Sequence, residues 1–396
     1  MVTRKAYKYR IYPTKDQVIF FAKTFGCCRF IWNKMLAEKL EAYKQKNPIP
    51  RITPAKYKEE YPFLKEVDTS ALANVQLQLE KAFRNHFRNS RYFRLQRKDK
   101  QSYNTNNSHN PIKVDFEKEI LVLPKLKNGI RIKSYRFSKG EIKSATVSKA
   151  SNGRYYVSIL VETEEPRNKV KKPRTRVCGI DLRLEHFITV TTDYGTRKVE
   201  HPRYLKRAEK RLKRPQRNLS KRQKDLKNYE KTKLRLTRQY AYVFNARKDF
   251  LHKLSKTIID EKQVVVVEDL NVKGLLQTRL AKSISDNGWS KFLSYLEYKA
   301  QWYGRTLDKV DRHFPSSKQC HCCGYRKKEL TLSQRTWTCP VCGMTHNRDI
   351  NASVNLYKVG LERSEFRLVK GALVDDRIPH GIPKKPSLVE VGSSTS

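Results

Sequence analysis

Three acidic residues stand where the chain could bring them together. Asp181 closes the strand-like run VCGID and Glu268 closes QVVVVE, while Asp349 precedes a stretch, 350–357, whose apolar spacing predicts a helix. Open α/β sheets present their sites at the carboxyl ends of strands, so the first two side chains can converge on one crevice and the third can join them. Clustered carboxylates repel one another at neutral pH unless a cation sits among them, and hard oxygen donors with open positions suit Mg²⁺ or Mn²⁺. Two such ions about 3.5–4 Å apart activate water and stabilise the leaving oxygen in phosphodiester cleavage. Taken singly, each acid also fits a plainer role: Asp181 a turn residue, Glu268 a solvated strand end, Asp349 a helix N-cap.

A second constellation precedes the third acid. Of eight cysteines, four form two C-x-x-C pairs, Cys320/Cys323 and Cys339/Cys342, a spacing that predicts Zn²⁺ rather than disulfides. Four thiolates leave no open coordination position, so the site is structural, and any role in handling nucleic acid falls to neighbours such as Arg335 and Trp337. Cys322, between two of the expected ligands, could replace Cys323.

The partner is a polyanion. With 85 Lys+Arg against 39 Asp+Glu, the 396 residues carry a formal charge of +46, far beyond what solubility requires. No apolar run approaches the roughly 18 residues of a membrane span and the basic N-terminus lacks a secretory core, so nucleic acid in a cytosolic setting is favoured over a membrane. The residues between 203 and 238 are overwhelmingly basic, and Arg207, Lys210 and Arg211 are candidate phosphate contacts there, with Pro215 expected to kink the helix.

The elements that position these groups follow from the patterning. Tyr7, Tyr9 and Ile11 alternate with Lys8 and Arg10 as in a half-buried strand; Thr14 and Gln17 form a capping box before a helix, and a second helix is expected over 29–43. Leu72, Val75, Leu79, Phe83 and Phe87 mark a long amphipathic helix. From about 112 to 164 short alternating runs return, predicting an all-β module that the first strand joins, with the helices inserted into it. Residues 164–176 predict a linker, a further domain starts near Val177, and the four valines before Glu268 predict a strand buried on both faces. The Pro-, Gly- and Ser-rich C-terminus predicts a disordered tail.

The segments GIDLRLEHF, VVVEDLNVKGL, SISDNGWSKFLSYLEYKAQWYG, FPSSKQCHCCG and RTWTCPVCGMTHNRDINAS, with YRIYPTKDQ and GCCRFIWNKML near the start, resemble the successive motifs of the TnpB (OrfB) family of transposon-encoded nucleases, over roughly residues 4–360. The resemblance implies an RNA-guided DNA endonuclease related to type V CRISPR effectors: a protein monomer with a transposon-derived guide RNA, cutting target double-stranded DNA beside a short flanking motif. It implies an α/β and β multidomain fold. Residues 1–12 and 101–170 form a β-barrel-like (WED) module and 13–100 a helical recognition (REC) insert. Residues 177–314 and 346–365 form a split RNase H-like (RuvC) nuclease domain, 315–345 the inserted zinc-ribbon element that handles target nucleic acid, and 366–396 the tail. The family's carboxylates match Asp181, Glu268 and Asp349, its C-x-x-C-G pattern favours Cys320 and Cys323, and the helix region from Thr69 to Asn74 matches a stretch facing the flanking motif. Two departures stand out: Arg183 where the family commonly has Gly, and Asn347 where Asp often precedes Arg-Asp. Two other functions share these features: a nuclease-inactive RNA-guided regulator, which retention of all three acids argues against, and a transposase-type strand transferase, which needs no guide.

Overall fold

The computed structural model describes residues 3–370 apart from 90–94, 98–100, 108–110, 135–139, 164–172, 225 and 332. The described residues fall into two compact units, the first within Met1–Lys171, Pro202–Lys256 and Trp302–Gly304 and the second within Lys172–His201, Thr257–Gln301 and Arg305–Ser396.

The first unit opens with β1 (Thr3–Tyr12), α1 (Lys15–Lys44), α2 (Tyr57–Glu60) and α3 (Thr69–Asn89), followed by β2 (Ser102–Asn106), β3 (Lys113–Asp115), β4 (Ile120–Leu123), β5 (Leu126–Lys133), β6 (Glu141–Lys149) and β7 (Tyr155–Thr163). The strands form one antiparallel sheet in the order β2-β6-β7-β1-β5-β4-β3, so the first strand joins the later ones as the alternation predicts. Tyr9, Ile11, Val157, Ile159 and Val161 share one core with Phe21, Phe25, Leu72 and Leu79 of the helices. The capping box forms: Thr14 accepts from Gln17 N, and the Gln17 side chain reaches back to Thr14 N and across to Gly129 O, tying α1 to β5. The two helices expected at the start are one 30-residue helix. Gly26 costs only about 1 kcal/mol in a helix interior, and burial of Cys27, Cys28 and Ile31 on the core face outweighs it.

The second unit contains β8 (Thr175–Leu182), β9 (His186–Thr192) and β10 (Gly195–Glu200). The chain then passes through α4 (Tyr204–Ser220) and α5 (Lys227–Glu261), and the second unit resumes at the end of α5. It continues with β11 (Lys262–Glu268), α6 (Val272–Leu275), α7 (Ala281–Asn287), α8 (Trp289–Trp302), β12 (Thr306–Val310), β13 (Thr336–Thr338), β14 (Thr345–Asn347) and α9 (Arg348–Lys370). Its five-stranded sheet runs β10-β9-β8-β11-β12, antiparallel from β10 to β8 and parallel from β8 through β12. Val265, Val266 and Val267 are buried, as a strand covered on both faces requires. α4 runs through Pro215, and the chain breaks only after Ser220; Ala208 and Leu212, packed with Leu236 and Val243 of α5, hold α4 in place.

α9 packs directly on the sheet. A Cβ at Gly179 would overlap Ser353 O and Tyr357 N, so this glycine lets backbone approach backbone, and one at Gly360 would overlap the Val177 and Val266 side chains, so that glycine lets α9 seat on the valines of the sheet. α9 extends to Lys370, past residue 366 where the sequence pattern places the tail, because no Gly or Pro interrupts 361–370. The rest of the tail and most of the linker expected over 164–176 lie outside the described residues.

Candidate active site

Asp181 lies inside β8, paired with Thr189 of β9, and is 1% exposed, so it is a strand residue and not a turn. Glu268 is the last residue of the adjacent parallel strand β11, and its carboxylate accepts from the Ser316 hydroxyl. Asp349 sits in the first turn of α9 and is 3% exposed. It is not the helix cap. That role belongs to Asn347, whose Oδ1 accepts from the backbone N–H of Asp349 at 3.2 Å and of Ile350 at 3.3 Å. The capped terminus sets where Asp349 points, and Gly179, two residues before Asp181, brings that terminus onto β8.

Between the acids lies Arg183. Its Nε donates to Asp181 Oδ2 at 2.5 Å and stands 3.3 Å from Asp349 Oδ1, an oxygen that is buried and accepts no hydrogen bond among the described residues. Burial, joined by the charges of Glu268 and Asp349, pushes the Asp181 carboxyl up to about 7 against the pull of Arg183. Burial works against the Arg183 cation, but the two aspartates hold its pKa above the ordinary value.

A loop fixes the acids from the side. Ser316 binds Glu268, and Ser317 Oγ accepts from Arg183 Nη2 at 2.6 Å. Two asparagines of α9, four residues apart, clamp the loop from below: Asn351 Nδ2 donates to Gln319 O at 2.7 Å, and Asn355 Nδ2 to Ser316 O at 2.8 Å and Gln319 O at 2.7 Å. The next residue is Cys320. The helix that carries the third acid thus also holds the entrance of the cysteine knuckle. Ser316, Ser317, Asn351 and Asn355 escaped the sequence patterns; the only signal was a polar pair at i, i+4 inside an otherwise apolar helix face.

The sulfurs of Cys320, Cys323, Cys339 and Cys342 lie within 4.8 Å of one another, Cys320 to Cys342 at 3.6 Å and Cys323 to Cys339 at 3.5 Å. A tetrahedral site with Zn–S near 2.3 Å needs sulfurs about 3.8 Å apart, so the donor set and its spacing fit Zn²⁺. Cys322 is exposed and outside the group. Desolvation opposes ionisation of Cys339, yet the backbone N–H groups of Cys342 and Val341 hold its thiol down at about 7. His346 Nε2 lies 3.0 Å from Cys320 Sγ and orients that thiol, and burial, with His321 nearby, lowers the imidazole's pKa. Trp337, expected to be available to DNA, is instead 3% exposed and packs on His346 with ring centroids 4.6 Å apart, because the knuckle has few other apolar residues to build a core.

The expected nucleic-acid contacts divide. Arg207, Lys210 and Arg211 are exposed on α4, opposite buried Ala208 and Leu212; Arg335 is exposed beside the knuckle, and Thr69 is exposed at the start of α3. Asn74 is placed differently: it is 8% exposed, and its amide donates to Ser70 O at 2.9 Å and Asn104 O at 3.2 Å, joining α3 to β2.

Residues 1–48, 158–279 and 289–356 match the families described as "Helix-turn-helix domain" (OrfB_IS605 type), "Probable transposase" (OrfB_IS605) and "Cas12f1-like, TNB domain". Over 375 residues the chain is 36% identical to a Streptomyces pristinaespiralis protein named "Putative RNA-guided DNA endonuclease", covering 91% of this chain and 90% of that one. The chain belongs to the TnpB (OrfB) family. Another relative, the Escherichia coli K12 protein named "Putative RNA-guided DNA endonuclease InsQ", is 29% identical over 379 residues, with 90% and 92% of the two chains covered. A solved Cas12f1–sgRNA–target DNA complex shares the fold of this TnpB-family chain, with a TM-score of 0.58 and 13% identity over 90% of this chain and 99% of that one. Within the span of the helix-turn-helix match, this TnpB-family chain has a strand and one unbroken helix. Among its described residues no helix is long and apolar enough to cross a membrane.

Proposed function

We propose that this chain is a transposon-encoded, RNA-guided DNA endonuclease that hydrolyses phosphodiester bonds of target double-stranded DNA beside a short flanking motif. The observation that carries this is the meeting of Asp181 and Asp349 on one guanidinium at the carboxyl end of β8, with Glu268 ending the neighbouring strand. A mixed sheet bearing acids at its strand ends supports an RNase H-like (RuvC) domain, and the antiparallel sheet with its helical insert supports the WED and REC assignments.

The acids suit a hard divalent cation: Asp181 and Asp349 are buried beside one guanidinium, Glu268 ends the neighbouring strand, and Asp349 Oδ1 has no hydrogen-bond donor among the described residues. Asp181, Glu268 and Asp349 would hold Mg²⁺ or Mn²⁺, which when bound supplies a water-derived nucleophile at neutral pH and neutralises charge on the leaving oxygen. The chain's own part is placement. Ser316 fixes the Glu268 carboxylate, Asn347 caps the helix that presents Asp349, and Gly179 sets its distance from β8. Cys320, Cys323, Cys339 and Cys342 would hold Zn²⁺ and keep the entrance loop folded.

Guide RNA and heteroduplex are held through their backbones by the basic surface, including Arg207, Lys210 and Arg211, with Arg335 near the knuckle and Thr69 toward the flanking motif, while base pairing reads the target. The protein acts as a monomer in this particle, in the prokaryotic cytoplasm on nucleoid DNA. The test is to sequence RNA that copurifies with the protein and to supply DNA matched to it with Mg²⁺. A discrete bound RNA and cleavage of matched DNA only are expected. Protein that purifies without RNA and joins DNA ends would be a strand transferase instead.

A further inference from the structure

We propose that Arg183 is a built-in counter-ion of the carboxylate cluster, which competes with divalent cations for Asp181 and Asp349 and so sets how tightly this chain holds metal. The inference rests on the assignment of the three acids as a metal centre. Arg183 Nε lies 2.5 Å from Asp181 Oδ2 and 3.3 Å from Asp349 Oδ1, and Nη2 is anchored on Ser317 Oγ at 2.6 Å. One guanidinium therefore draws together acids from β8 and α9, 168 positions apart in sequence.

The competition is geometric. The carboxylate lone pair that accepts Nε–H is a pair that a cation would use, and the two cannot share it. The guanidinium also brings positive charge into the space between the aspartates, where like charge disfavours a second cation. The Arg183 side chain is 19% exposed while that of Asp181 is 1% exposed, so the cation has a path to solvent that the acids lack. Its contact with Asp349 is an ion pair without a hydrogen bond, the weaker half of the bridge. A glycine at this position would leave both aspartates without that partner; Arg183 makes metal entry an exchange of one cation for another.

The test measures Mn²⁺ binding directly, by the electron paramagnetic resonance signal of free Mn²⁺ titrated into the full-length protein. The same titration on Asp349→Asn subtracts Mn²⁺ held elsewhere, including on bound RNA. Arg183→Gly should bind Mn²⁺ at the Asp349-dependent site about tenfold more tightly than the native chain, as expected for removal of a neighbouring like charge. Arg183→Gln, which keeps a donor at the position of Nε but no charge, should also bind more tightly, and it serves if the glycine variant does not fold. In thermal melts the metal-free variants should be less stable than the native protein, and a fixed Mn²⁺ concentration should raise their Tm more. Equal Asp349-dependent affinity in native, Arg183→Gly and Arg183→Gln proteins would overturn the counter-ion role and leave the metal centre standing. Loss of any Asp349-dependent binding in all three would overturn the metal centre and the inference with it.

Discussion

Gly179→Ala should disable cutting while leaving the guide-binding surface intact. The added methyl would sit against Ser353 O and Tyr357 N, backbone atoms of α9 that cannot rotate away. Its position falls roughly 1 Å inside ordinary van der Waals separation, so either α9 or β8 must yield by about that distance. Overpacking of this kind costs about 1–3 kcal/mol, which a large unit with its own core survives. The displacement falls on the turn of α9 that follows Asp349 and on the strand residue two before Asp181, so it separates the two aspartates directly. A misplacement near 1 Å costs about 10²-fold in rate. Cleavage of matched DNA should therefore drop by about two orders of magnitude, with Tm lowered by a few degrees and RNA affinity within twofold of native. Native cleavage rates in a folded Gly179→Ala protein would show that the close approach of α9 to β8 does not position the acids.

Three further outcomes are expected. In the metal-free protein Asp181 titrates near 7, against an ordinary value of 3.8, so the folded state keeps a proton that the unfolded chain has lost. That contribution is full below pH 3.8 and lost as pH rises through about 7, an effect of order 4 kcal/mol; chemical denaturation of Asp181→Asn should show a flatter loss of stability over this window, and an unchanged slope would contradict the burial argument. Cys339→Ala should release bound Zn²⁺, loosen the loop from Ser316 to Cys320, and cut weakly while retaining RNA; full cutting without zinc would separate the knuckle from the centre. Neutralising Arg207, Lys210 and Arg211 together should reduce the slope of log affinity against log salt for guide RNA by about 2 without shifting Tm, whereas a collapse of Tm at native affinity would make α4 a packing element.

The candidate site was legible in the sequence to the extent that it depended on local spacing. Asp181 and Glu268 could be placed because each ends an apolar strand run, and the cysteine pairs because metal ligation imposes its own interval. The capping box at Thr14 and Gln17 and the alternation of Tyr155, Val157, Ile159 and Val161 were equally local. What was not legible depended on partners far along the chain. Asn351 and Asn355 reach backbone carbonyls more than thirty positions away, and no periodicity encodes that. Asn74 looks like a surface residue until Asn104 of β2 covers it. Pro215 reads as a kink, and the stretch 15–44 as two helices, because local signals are visible whereas the tertiary packing that overrides them is not. Arg183 stood out only as a departure from a pattern; its place between two aspartates needed the fold.

The most direct measurement is cleavage and binding of guide-matched double-stranded DNA, with Mg²⁺, by ribonucleoproteins carrying Asp181→Ala, Glu268→Ala or Asp349→Ala. Each variant should bind the matched DNA with native affinity and fail to cut either strand. Normal cutting by any one of them would remove that residue from the centre and contradict the account.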